Sequence, residues 1–476
     1  MSPAPANGAP GGGSPLADLS AGVTLASAND GPGAASVRLA AAGEPAPALL
    51  DALFVVPHLG AGGTQRVVVL LLNHWAAAGW RIGLLTLFPT PDTYALHTSV
   101  LREDYARAQP DEAGAGVLRR ANRRIERSLS RLSAVQASWK PMLGGPLLRG
   151  FRALRQGVVT AVTAASPRLA ERFVRGKREV RWLRLRFRAL RPRVIVSFLG
   201  ATNIQAVLAA EGLGVPVLIS ERNDPAVQHL GQPWQRLRTL IYARADMVSA
   251  NSAGALDTLA EWVPAGKLRR VHNPLAVPPR PEGVPVGEPR LVLVARLVEQ
   301  KGVDLLLEAF ARVAGALPDW QLDLVGDGPL RERLAERARS LDLVGRVHFH
   351  GHRQDPFPFL YRASVFVLPS RFEGMPNALL EALGAGLPAI VSDASPGPLE
   401  LIRDGETGLV VATDDVDALA GAIRRLCTDA PLRARLAAAA VELAGRMALP
   451  VVAAQWEAVM AETVENYRGA QGDAQT

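Results

Sequence analysis

Short apolar runs alternating with helical stretches occupy this sequence twice, and one proline-rich break separates the two series. Leu53–Val56, Ile82–Phe88, Val194–Phe198, Val215–Ser220 and Met247–Ala250 read as strands. The stretch Thr64–Ala78 carries Val67, Leu70, Leu71 and Trp75 at helical spacing. Residues 276–289 then hold five prolines and few apolar anchors, the composition of a linker. Alternation restarts with strands Leu291–Ala295, Trp320–Val325, Val347–His350, Val365–Leu368 and Ala389–Val391, and helices Val303–Leu317 and Leu330–Leu341. After Val411 the pattern is helical over Val416–Cys427, Pro431–Met447 and Pro450–Tyr467. Such series build parallel sheets. The fold class is therefore α/β, with two Rossmann-like domains (49–275 and 290–447) facing each other across a cleft. Residues 448–476 are expected to form a helix returning to the first domain. Ligands of open α/β sheets bind outside the carboxyl ends of the strands, so the cleft is where chemistry is expected.

Composition narrows the class. With 48% apolar residues the chain supports a sizeable core, whereas residues 1–48, rich in Ala, Gly, Pro and Ser, read as a disordered tail. The single cysteine, Cys427, excludes an intrachain disulfide and a cysteine metal site. No apolar run reaches the roughly 18 residues of a spanning helix. The first basic residue is Arg38, so a secretory n-region is missing, and a cytoplasmic location is expected.

Charge is unevenly spread. The chain carries a net +8, but residues 100–193 alone hold 23 basic and 7 acidic side chains, a net +16. The rest is therefore acidic. Trp139, Phe151, Phe173, Trp182 and Phe187 are interspersed in this basic insert, with a spacing neither cleanly helical nor alternating. It suits an anionic membrane surface at the inner leaflet, or a solvated helical face, better than nucleic acid.

The sharpest segment is Ser370-Arg371-Phe372-Glu373-Gly374-Met375-Pro376-Asn377-Ala378-Leu379-Leu380-Glu381-Ala382. Pro376 suits a first helical position, where its missing N–H is not needed, which puts Glu373 in a strand-to-helix loop and Glu381 inside the helix. Free N–H groups at such a helix start face an anion such as a diphosphate. A buried carboxylate beside a sugar accepts two vicinal hydroxyls through charge-assisted hydrogen bonds. Spacing alone leaves both glutamates equally open as surface acids.

In context the segment resembles the glutamate-x7-glutamate signature of retaining glycosyltransferase family 4, enzymes of the GT-B fold. The resemblance extends over most of residues 51–470. Arg296-Leu297 with Lys301-Gly302 resembles the family's diphosphate clamp, and Val325-Gly326-Asp327-Gly328-Pro329-Leu330 its glycine turn. Pro388–Asp393 and Asp404–Leu409 complete the second half. In the first half Gly62-Gly63-Thr64-Gln65-Arg66-Val67 is similar to the family's interface loop, and Asn273-Pro274 to the element closing the first domain. The resemblance implies a donor site of Gly62, Gly63, Arg296, Lys301, Glu373, Gly374, Met375, Asn377 and Glu381. Arg296, Lys301 and Glu373 are its catalytic candidates. The two cations would supply fixed charge to a leaving nucleoside diphosphate in place of a metal ion. Glu373 would bind the donor sugar and Glu381 the ribose, with the base near His350-Gly351-His352. Gly326–Gly328 reads as a structural turn.

Where many members carry a His, this chain has Ser220-Glu221-Arg222-Asn223, which resembles the branch of bacterial polysaccharide and lipid-linked glycan hexosyl- or N-acetylhexosaminyltransferases. Glu221 or Arg222 could line the acceptor side, or form a structural ion pair. His58 and His272 are further cleft candidates, though a lone His is more commonly a hydrogen-bonded structural residue. Asp414-Asp415 reads as a helix cap, not a metal motif. The expectation is transfer of a hexose or N-acetylhexosamine, with retention, from a nucleotide sugar (UDP first) to a glycan or isoprenoid-linked acceptor in cell-envelope polysaccharide synthesis, without metal or cofactor. An epimerase or phosphorylase of the same fold, or a non-enzymatic membrane-surface protein, are the alternatives. A dinucleotide dehydrogenase is disfavoured because Gly60-Ala61-Gly62-Gly63 lacks the Gly-x-Gly-x-x-Gly spacing.

Overall fold

The computed structural model describes residues 50–60, 62–107, 166–231 and 233–473, all within one compact unit. The tail and residues 108–165 of the basic insert lie outside the described residues. Two parallel sheets organise the rest. The first contains β1 (Ala52–Val56), β2 (Ile82–Thr86), β3 (Leu101–Asp104), β4 (Ile195–Phe198), β5 (Val217–Glu221), β6 (Met247–Ala250) and β7 (Leu268–Arg270), in the order β3-β2-β1-β4-β5-β6-β7. The second contains β8 (Arg290–Val294), β9 (Gln321–Val325), β10 (Val347–Gly351), β11 (Val365–Leu368), β12 (Ala389–Ser392) and β13 (Leu409–Val411), in the order β10-β9-β8-β11-β12-β13. Both orders reverse beside the first strand of the lobe, β1 or β8. Such a reversal opens a crevice at the carboxyl ends of the strands.

The central strands are buried on both faces. Every residue of β1, β2, β4, β5 and β6 is buried, as is every residue of β11 and β12, which is why they read as continuous apolar runs. Helices cover both sheet faces. The helix Gly63–Ala77 presents Val67, Val68, Leu71, Leu72 and Trp75 to the core. The last helix, Leu449–Asp473, leaves the second lobe and packs Val452, Ala453, Trp456 and Met460 into the first-lobe cluster that holds Phe54, Trp75 and Phe198. Its path is fixed at the crossing, where Leu275 N–H donates to Met447 O at 2.7 Å and Leu449 N–H to Leu275 O at 2.8 Å.

Both ends of the basic insert are integral to the first lobe. Residues 101–104 form edge strand β3, and two helices, Pro167–Arg175 and Arg178–Leu190, pack on the sheet. The break between them explains why no single helical period fits. Within the second, Val180, Leu183, Phe187 and Leu190 do repeat with helical spacing and are buried, together with Trp182. Trp182 and Phe187 are therefore part of the first-lobe core. Several arginines are paired within the fold: Arg175 with Glu171 at 2.7 Å and with Glu211, and Arg186 with Glu103. No helix among the described residues is long and apolar enough to cross a membrane.

Candidate active site

Between the carboxyl edges of the two sheets lies a cavity of about 830 Å³. Gly62 and Gly63 enter it from the first lobe, Arg296, Lys301, Glu373, Gly374, Met375, Asn377 and Glu381 from the second. These residues are spread over more than 300 positions of sequence. Loops at strand ends bring them together: Arg296 and Lys301 follow β8, Glu373 follows β11, and Glu381 sits in the helix Asn377–Gly384. That helix starts one residue later than the sequence suggests. Pro376 is its cap, with an extended ψ of 113°, because the preceding loop turns in to meet the cleft. The first turn of the helix nevertheless lines the cavity through Asn377 and Ala378, with its amide dipoles available to an anion.

Lys301 and Glu373 form an ion pair, and Glu373 also accepts a hydrogen bond from Ser370 Oγ at 2.6 Å. The Glu373 N–H donates to Ser395 Oγ at 3.0 Å, so the carboxylate is held from both ends of its residue. Arg296 is exposed into the cavity and has no ion-pair or side-chain hydrogen-bond partner among the described residues. The loops carrying Lys301 and Glu373 are clasped together. Arg371 N–H donates to Gln300 O at 2.7 Å, its guanidinium to Glu299 O at 2.7 Å, and Gln300 Nε2 to Phe372 O at 2.9 Å. Arg371 also reaches Asp304 at 2.8 Å and Asp414 at 2.8 Å. Asp415, beside it, caps the helix Val416–Thr428 by accepting from Ala418 N–H at 2.8 Å.

Glycine is required where the second-lobe loops approach each other backbone to backbone. Gly302, with φ +61°, would place a Cβ 2.0 Å from Pro369 O. A Cβ at Gly326, where φ is +147°, would fall 1.8 Å from Ala295 O, a backbone approach that makes this position structural as well as cavity-lining. At Gly63 a Cβ would meet Asn377 Nδ2 of the other lobe at 2.9 Å.

The acceptor-side expectation is corrected in part. Glu221 does not line the cavity; it is fully buried at the end of β5, where it accepts from Tyr242 OH at 2.7 Å and from Arg222 N–H at 3.1 Å. Alternation along the strand turns this side chain under the wall. Burial pushes its carboxyl pKa up, although the hydrogen bonds and Arg238 oppose the rise. Arg222 does line the cavity. Burial pushes its guanidinium down to about 9 despite the charge of Glu221. It donates to Asn273 Oδ1, which belongs to the motif that closes the first lobe. His58 and His272 are not on the cavity wall, whereas His352 is; His350 instead bonds Asp323 at 2.7 Å.

Sequence reasoning passed over Arg66, Tyr94, Asp224 and Asn251, all on the wall. Arg66 lay inside the glycine motif, one helical turn beyond Gly62, and that phase was the available signal. Its guanidinium meets Glu381 at 2.7 Å. Burial pushes the Glu381 carboxyl up to about 7, against the charge of Arg66 and with a contribution from Asp355.

Comparisons with known proteins bear on the family and the fold. Residues 279–442 match the family model described as Glycosyl transferases group 1. The chain is 38% identical over 201 residues to the exopolysaccharide phosphotransferase of Streptomyces coelicolor, covering 42% of this chain and 21% of that protein. It is 35% identical over 206 residues to the lipopolysaccharide core biosynthesis glycosyltransferase LpsE of Rhizobium meliloti, covering 42% and 59%. The chain thus spans about a fifth and three-fifths of these two relatives. Among solved structures, the Anabaena protein HepE in complex with UDP superposes with a TM-score of 0.62 at 16% identity, covering 87% of this chain and 100% of that one.

Proposed function

We infer that this chain, whose C-terminal lobe is a group 1 glycosyl transferase domain within a GT-B fold, moves a hexose or N-acetylhexosamine from a nucleoside diphosphate sugar to a glycan or lipid-linked acceptor. One observation carries the reading: Arg296, Lys301, Glu373, Glu381 and the first turn of the helix Asn377–Gly384 converge on one interlobe cavity, opposite Gly62 and Gly63. The charge logic fits departure of a diphosphate. Negative charge grows on the leaving oxygens, and an exposed guanidinium, an ammonium and helix amides on the cavity wall are suited to stabilise it without reorganising. The cations supply the charge that a metal would otherwise bring, so activity should survive chelation.

Glu373 is the carboxylate nearest the clamp and is assigned to the donor sugar; Glu381 is assigned to the ribose hydroxyls. Transfer with retention follows if the leaving phosphate itself takes the proton of the incoming hydroxyl on the same face. In that case the protein positions the partners instead of providing a strong base. Arg222 belongs to the acceptor side. UDP is the first donor nucleotide to test, the Rhizobium and Anabaena proteins being an envelope-glycan enzyme by name and a UDP complex.

The test is a donor screen that follows nucleotide release, with native membrane lipid extract as acceptor. Release of a nucleoside diphosphate together with a glycosylated lipid is expected. An interconverted nucleotide sugar without release would indicate an epimerase, and phosphate-dependent glycan cleavage a phosphorylase. Either outcome overturns the transferase reading.

A further inference from the structure

One ion pair joins the lobes inside the cavity. Arg66, on the first-lobe helix Gly63–Ala77, places its guanidinium 2.7 Å from Glu381 Oε1 on the second-lobe helix Asn377–Gly384. The Glu381 side chain is 8% exposed and that of Arg66 21%. No second cation pairs with Glu381 among the described residues. Arg66 also stands 6.0 Å above the ring of Phe357, another second-lobe side chain. Alongside the pair, Asn377 Nδ2 donates to Gly63 O at 2.9 Å and Asn273 Nδ2 to Met375 O at 3.2 Å. The carboxylate therefore draws its counter-charge from the opposite side of the cleft.

We propose that Arg66 is a positioning residue of the donor site, crossing the cleft so that Glu381, buried between the lobes, stays ionised and oriented to accept the two ribose hydroxyls. This rests on the donor-site reading of Glu381 given above. A carboxylate accepts on both oxygens, whereas a protonated carboxyl gives up part of that capacity, so a diol is bound well only by the ionised form. Burial between the lobes opposes ionisation, and Asp355, before the helix Phe357–Arg362, opposes it further. The phenol of Tyr94, from the first-lobe loop after β2, faces the same pair. Arg66 acts in the other direction, and it does so only while the lobes are together. Completion of the ribose site and apposition of the lobes are thus one event.

The experiment is calorimetric titration of UDP, GDP and ADP into wild type, Arg66→Ala, Arg66→Lys and Glu381→Gln across the range around neutrality. For whichever nucleotide binds, wild-type affinity should fall as pH drops through about 7. Arg66→Ala should move that midpoint upward by about one pH unit, giving ~5-fold weaker binding at neutrality, ~10-fold weaker binding at lower pH and recovery at higher pH. Arg66→Lys, which keeps the charge, should restore most of the midpoint, and Glu381→Gln should remove the carboxylate's step and leave only the titration of the nucleotide's own terminal phosphate, which every variant shares. A uniform loss of affinity in Arg66→Ala with the midpoint unmoved would reduce Arg66 to a structural contact and overturn the proposal, as would unchanged binding. If Arg66→Ala does not fold, the Lys and Gln variants decide between the same two outcomes: a wild-type-like midpoint in the first with the carboxylate's step lost in the second supports the proposal, and a Glu381→Gln profile identical to that of wild type overturns it. Failure of wild type to bind any of the three at any pH would instead remove the donor-site reading, and this inference with it.

Discussion

Arg296 and Lys301 lie five residues apart and should behave differently when removed. Arg296 is exposed into the cavity and has no side-chain partner among the described residues, so Arg296→Ala should leave thermal stability near wild type and lower kcat/KM alone. Lys301 neutralises Glu373, whose side chain is largely buried. Its loss strands a carboxylate, and Lys301→Ala should cost about 1–3 kcal/mol of stability as well. Loss of either cation should weaken transition-state binding by ~2–4 kcal/mol, the scale of one removed oxyanion donor. Steady-state kinetics with a nucleotide-release assay, beside thermal melts, separates the two effects. Unchanged kcat/KM in both variants would mean that no diphosphate is gripped here.

At the scale of elements, the turn at Gly302 holds the clamp against the glutamate loop. A methyl group there would collide with Pro369 O, and φ +61° is strained for any L side chain. Gly302→Ala should therefore push the Lys301 turn away from the end of β11. The backbone term alone is worth about 1–3 kcal/mol, and kcat/KM should fall further than the melting temperature suggests. Full activity in a Gly302→Ala protein would show that the two loops need not touch. The same elements mark how far sequence reading reaches. Central strands such as β1 and β11 are buried on both faces and declare themselves as apolar runs. β3, β7 and β13 are edge strands reading LRED, LRR and LVV, and their sequences do not announce them. β3 and β7 carry polar residues at the sheet edge and show no apolar run, whereas β13 is apolar but only three residues long, too short to show a period. That Arg296, Lys301, Glu373 and Glu381 would gather at one cavity was legible from their motifs. What the motifs could not supply was a partner from the other lobe: Arg66 and Glu381 are 315 residues apart, and only the meeting of two helix starts makes them a pair. Glu221 sits beneath the wall because strand alternation turns it away from the side that Arg222 faces, a phase that its motif does not state.

For the molecule as a whole, the chain crosses between lobes twice, at the proline-rich segment after Asn273 and again at Met447–Leu449, where Leu275 ties the two crossings together. The returning helix then anchors in the first lobe through Trp456, fully buried against Phe198 with ring centroids 5.4 Å apart. This makes the far end of the sequence part of the first lobe's core. Trp456→Ala should consequently destabilise that lobe by about 3–5 kcal/mol. Trp456 does not line the cavity, so nucleotide affinity measured well below the new melting point should stay within about twofold of wild type. Denaturant unfolding followed by near-ultraviolet circular dichroism, with calorimetric nucleotide titration, tests both halves. If affinity collapsed together with stability, the returning helix would be setting the apposition of the lobes, and the crossing at Leu275 would govern the site. If stability were unaffected, the helix would be a dispensable strap, and the first lobe would hold its core with β1 to β7 and their own helices alone.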